Sequence, residues 1–251
     1  MKKLIWKNVW QLLAAIVFLV VIWAMAYVAV GNEEIVPPLQ DSFAAVGELL
    51  AGGAFWRALL GSLLRAVQAF FLAFFLAAIF AIIAHLSPSM GNFLAPIVSA
   101  LRSLPVLAVL LILLAFLGAG QAPIAVAFLS LFPMLYTGIL AALSGVDKHL
   151  IEISRVHGAG VWARITRIYL PLSSPYVLRE AGGALSFSIK LVVSAEVLSQ
   201  TARSLGGMMQ EARIYQEMPT LFALVIVTFL VGLVLELAVS AAAVAMEKRV
   251  K

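Results

Sequence analysis

Apolar residues in this chain run on for lengths that a water-soluble fold cannot use, and this limits the folds open to it more than any other feature. Val9–Val30 is the first such run. At about 1.5 Å per residue it reaches about 33 Å, enough to cross a hydrocarbon core of about 30 Å. Further runs follow at about Ala58–Leu86, Phe93–Leu117, Pro123–Leu143, Tyr176–Leu198 and Thr220–Met246. The whole chain is 64% hydrophobic and only 12% charged, against about half and a quarter in soluble domains. The expected fold is therefore an all-α integral membrane protein, one transmembrane domain over residues 1–251 with six spanning helices.

Lys2, Lys3 and Lys7 precede the first run, and Ala24-Met25-Ala26 has the small residues of a signal-peptide cleavage site. The run is longer than a signal h-region of about 7–15 residues, so a retained anchor is expected. Six spans put both termini on one side. The N-terminus, the 144–180 region and the C-terminus carry eleven Lys and Arg, and the opposite side only Arg57, Arg203 and Arg213. The bias predicts cytoplasmic termini. It also accounts for the formal charge of +5 without a nucleic-acid partner.

Between the first two spans, residues 38–52 read as an amphipathic helix at the outward surface. Asp41 or Ser42 is its expected cap, Gly52-Gly53 its stop, and Phe43, Val46, Leu49 and Leu50 its apolar face. Ser87–Gly91 reads as a turn, Gly118–Gln121 as a tight turn, and Arg102-Ser103-Leu104-Pro105 as a break within the third span. A broken helix at membrane depth borders a cavity or packed protein, so Arg102, Ser103 and Pro105 are candidate pathway residues.

Arg65, Arg102, Glu180, Lys190, Glu196 and Glu236 lie in or at the ends of spans. Such residues face a bundle interior or a water-filled cavity. Arg65 and Glu180 are expected to reach toward the interface. Ser186, Lys190 and Ser194 recur every four residues on one face of the fifth span. Lys190 there either attracts an anionic substrate or neutralises Glu196 or Glu236.

The longest polar stretch is Ser144–Ser174. It reads as two short helices: one capped by Asp147 and stopped by Gly158-Ala159-Gly160, the other Trp162–Tyr169, ended by Pro171. Arg164 and Arg167 take its exposed positions. Glu152, Gly158, Ile168, Leu170 and Pro171 fall at the spacing E-A-A, three residues, G, nine residues, I, one residue, L-P. Ile153 and Ser154 replace the two alanines.

This pattern resembles the EAA motif of ATP-binding-cassette (ABC) importer permeases. From about Val36 to Lys248 the chain looks like the branch that imports nitrate, sulfonates, taurine and related small solutes. The resemblance rests also on Pro37-Pro38-Leu39, the Arg-Ser-Leu-Pro break and Ala195-Glu196. It implies a type I importer permease fold, with residues 147–171 as the coupling helix that docks on a cytoplasmic ATPase. Asp147, Glu152, Ser154, Arg155, Gly158, Ile168, Leu170 and Pro171 would form that contact. It further implies a second permease copy, normally giving a homodimer, two ABC ATPase subunits that hold ATP and magnesium, an extracytoplasmic solute-binding protein, and residence in a bacterial inner membrane.

The sequence shows no G-x-x-x-x-G-K-[ST] loop, no nucleophile–base set, no cysteine, and no metal-ligand spacing at His85, His149 or His157. Neither an enzyme active site nor a metal or cofactor site is expected in this chain. A secondary transporter without an ATPase partner is the alternative. It usually shows two related halves, and no internal repeat is evident.

Overall fold

Alanine decides how the helices pack. A computed structural model describes the backbone of residues 2–250, and the side chains except at 1–13, 15, 16, 148, 240 and 242–251. Its elements are α1 (Lys2–Val30), α2 (Leu39–Ala51), α3 (Gly53–Leu86), α4 (Pro88–Ser103), α5 (Val106–Ser144), α6 (Lys148–Val156), α7 (Val161–Arg164), α8 (Leu170–Ser199), α9 (Leu205–Ile214) and α10 (Met218–Val250). Along α3, Ala58, Ser62, Ala66, Ala69, Ala73, Ala77, Ala81 and Ala84 form one buried stripe. Small side chains let backbones approach closely where lipid offers no hydrophobic drive between helices. α3 accordingly packs on both α5 and α8, and α8 packs on α10. The opposite face of α3, with Leu64, Phe71, Leu72, Phe75 and Ile79, is exposed, as a lipid-facing surface should be.

Among the described residues four helices are long and apolar enough to cross a membrane: Gly53–Leu86, Val106–Ser144, Val161–Ser199 and Met218–Val239. Val17–Val30 is a shorter apolar stretch. The expected tight turn lies inside α5. Gly118 has φ 72 and ψ 172, a backbone that favours glycine. Leu110 packs with Ala122 and Val126, and Arg102 reaches Thr137. These pairs straddle Gly118, so α5 is two antiparallel arms.

Three local expectations change. The third span is two pieces, α4 and the first arm of α5. They are separated at Leu104 and Pro105, where ψ is 128 and 107, because Pro105 has no N–H to continue the ladder. The Ser87–Gly91 turn contracts to a cap: Ser87 Oγ accepts from Met90 N–H at 3.4 Å, and Pro88 opens α4. α2 begins at Leu39 without a side-chain cap, placing Asp41 in its first turn. Ser42 and Ala45 are buried and Val46 and Leu49 pack on the bundle, while Phe43 and Leu50 stay exposed. The apolar face of α2 is thus split, half of it resting on the bundle, where α2 meets α10.

The bundle has two distinct ends. One carries α2, the Gly118 turn and α9. The other carries α6 and α7, with the His85 and Tyr169 rings 4.8 Å apart. The side chains of the lysines and arginines at both termini that underlie the charge bias, and that of Lys148, lie outside the described ones.

Candidate functional site

At the α6 end the chain leaves the bundle as an elbow. Asp147 Oδ1 accepts from His149 N–H at 2.9 Å and caps α6. Gly158, at φ 75, turns the chain after Val156. Ser154 Oγ donates to the Ile151 carbonyl at 2.7 Å. Ile151 is buried and anchors the elbow, whereas Leu150, Ile153, Val156, Val161 and Trp162 are exposed, Val156 at 85% and Trp162 at 75%. Glu152 is exposed too, its carboxylate 4.0 Å from His149 Nδ1. Arg155 and Arg167 are exposed, but Arg164 is only half-exposed. Ile168 and Pro171 line a recess of about 500 Å³ with Leu150, Ile153 and Ser154, and Leu170 is 47% exposed beside it.

Pro171 does not end the second helix. α7 runs through a π-helical turn, Ile165–Tyr169, directly into α8. Leu170 N–H bonds the Ile165 carbonyl, five residues back. A widened turn of this kind makes room for a proline ring that would otherwise strike the preceding carbonyl. The fifth span therefore begins well before Tyr176.

Along α8, Tyr176, Arg179, Phe187, Lys190, Ser194 and Leu198 are exposed and share one face over about 33 Å. Lys190 stands mid-stripe, and no carboxylate among the described residues lies within 4 Å of it. Ser186 departs from the expected face. It is buried against Gly232 of α10, over which the Lys190 stem also passes, and its hydroxyl has no hydrogen-bond partner among the described residues. Glu180 packs on Gly138 of α5, where a Cβ would overlap its side chain. At the break, Arg102 donates to Thr137 Oγ1 at 2.7 Å and Ser103 to the Ala100 carbonyl at 2.8 Å. Arg102 borders a mainly apolar cavity of about 240 Å³ that Phe187 and Leu191 reach from α8.

Glu196 turns away from the α8 stripe. It is fully buried, and its partner is Arg65, not Lys190. Arg65 Nη1 lies 2.7 Å from Glu196 Oε1. Ser62 Oγ donates to Oε2 at 2.6 Å and accepts from Leu205 N–H at 2.9 Å. Gly206 N–H donates to Oε2 at 3.3 Å, and Arg65 Nη2 to the Ala202 carbonyl at 3.4 Å. Arg65 thus points inward rather than to the interface. A buried carboxylate needs both a cation and donors for its lone pairs, and α3 and the start of α9 supply them to Glu196 of α8. Tight backbone contacts allow this: Gly61 meets the Arg203 carbonyl, and Gly206 meets Val193 and Glu196. The in-span charges flagged both ends of the pair, but nothing in the sequence links positions 131 residues apart or singles out Ser62.

A helical bundle with four membrane-length spans among the described residues and a buried ion pair between them defines an integral membrane protein. The chain belongs to the family of binding-protein-dependent transport system inner membrane components, whose profile matches residues 69–251. It is 31% identical over 148 residues to a probable ABC transporter permease protein of Brucella melitensis, the match covering 59% of this chain and 60% of that one. The aligned part is thus less than two thirds of that relative's length. It is 26% identical over 231 residues to the taurine transport system permease protein TauC of Escherichia coli, covering 90% of this chain and 84% of TauC. The fold is shared with a chain of the MetNI methionine ABC transporter in inward-facing conformations. There the TM-score is 0.69 at 17% identity, over 77% of this chain and 96% of that one.

Proposed function

We propose that this chain is the permease subunit of an ABC importer. With a second copy of itself it forms the pathway for a small solute, which an extracytoplasmic binding protein delivers, and two separate cytoplasmic subunits hydrolyse ATP with magnesium. The carrying observation is the elbow at α6 and α7. Its Val156 is exposed between the spans and its Trp162 is exposed in the first turn of the α7–α8 helix, where a solvated segment would carry polar side chains, so a partner protein is needed to cover them. Family membership supports an ATPase as that partner.

In this reading residues 1–251 are one transmembrane domain with six spans. These are α1, α3, the α4–α5 broken span, the second arm of α5, the α7–α8 helix and α10. Both termini and the 147–171 coupling segment face the cytoplasm of a bacterial cell, and the helix at 38–52 faces outward. Asp147 and Gly158 fix the shape of the elbow. Glu152, Ser154, Arg155, Ile168, Leu170 and Pro171 surround its apolar contact. Arg102, Ser103, Pro105, Lys190 and Ser194 line this copy's half of the pathway. An exposed lysine in a span supports that placement, since a charge at this depth faces water or protein rather than lipid.

The test is co-purification. Val156→Asp and Gly158→Asp are expected to insert and unfold like the wild type in detergent while losing the ATPase subunit and solute uptake. Retention of both in both variants refutes the proposal.

A further inference from the structure

Residues 200–207 close the α9 end of the bundle, where a set of discrete polar bonds holds them alongside the fully buried Leu205. Ser62 and Glu196 take the first amides of α9, Arg65 bridges Glu196 to the Ala202 carbonyl, and Thr201 Oγ1 donates to the Ala119 carbonyl at the Gly118 turn at 2.7 Å. The segment has strained backbone, with Gln200 at φ 48 and Arg203 at φ 51. Such conformations persist only where surrounding contacts impose them. The same segment lines an open cavity of about 760 Å³ between the start of α3 and α9, rimmed by Arg57, Gln210 and Tyr215. The exposed stripe of α8 ends at Leu198, two residues before this segment.

We propose that Glu196, with Arg65 and Ser62, is a latch that seats residues 200–207 and α9 across the outward end of the pathway, and that contact in the cavity above releases it. The three are positioning residues and touch no solute. Release frees α9 from α3 and lets the end of α8 move, which changes the stripe carrying Ser194 and Leu198. The proposal rests on the permease reading for which end faces outward. The latch itself rests on the hydrogen bonds alone.

The chain has no cysteine, so an introduced thiol reports cleanly. Ala212, 3% exposed on the inner face of α9, becomes accessible only when α9 lifts, and Ala81, 0% exposed, reports general loosening. In detergent-solubilised protein, Ala212→Cys is expected to react with a maleimide about tenfold faster when Glu196→Gln is added, the loss expected for one charged hydrogen bond. Ala81→Cys should not change. An unchanged rate at 212, or equal acceleration at both positions, overturns the latch.

In the complex reconstituted with its ATPase and binding protein, and with Glu196 intact, adding binding protein should accelerate labelling at 212. No acceleration in a preparation whose uptake depends on binding protein also overturns the proposal. Uptake that is independent of binding protein refutes the permease reading instead, and the detergent measurement still decides the latch.

Discussion

Arg65→Ala should destabilise the chain more than any other charge-removing substitution at the described residues. Glu196 is fully buried, and Arg65 is its only cation within 4 Å among them. Removing the guanidinium leaves an uncompensated buried carboxylate, at a cost of about 3–5 kcal/mol. Glu196→Ala costs about 3 kcal/mol, because Ser62 and the Gly206 N–H lose their acceptor while Arg65, 17% exposed, keeps the Ala202 carbonyl and some water. In the double variant the two losses overlap. The cycle should return a coupling of about 2–3 kcal/mol, so that the double variant is little worse than Arg65→Ala. Equilibrium unfolding in mixed micelles, followed by tryptophan fluorescence, measures all four proteins. Additive effects, within about 0.5 kcal/mol, would show that the pair is not an energetic unit.

Gly206→Ala should cost about 1–3 kcal/mol in the same titration, since its Cβ meets backbone atoms of Val193 and Val197, which cannot move aside. Ala77→Leu, in the fully buried stripe of α3, should lower stability by about the same amount or prevent folding. A retained elution volume and an unchanged midpoint would refute the close packing there. Lys190→Gln should leave the midpoint within about 0.5 kcal/mol, as expected for an exposed side chain with no ion-pair partner among the described residues. Uptake should nonetheless fall more for an anionic than for a neutral solute, and equal loss for both would argue against charge selection by Lys190.

The membrane character of the chain was legible in run length alone, because hydrocarbon imposes a minimum span and forbids unpaired backbone. The Gly118 turn, the break before Pro105 and the Asp147 and Gly158 elbow were legible too. Each depends on a residue's own backbone preference, and no distant partner is needed to produce it. Reading Pro171 as a stop failed, because a π-helical turn upstream accommodated the ring and carried the helix onward. Reading Arg65 as an interface residue failed for a different reason. Where a buried charge points depends on what stands opposite, and Glu196, Ser62 and the first amides of α9 meet Arg65 only once α3, α8 and α9 have packed. The sequence determined that charges lay within the spans. Only the tertiary structure decided that Glu196 is neutralised inside the bundle while Lys190 is left facing out.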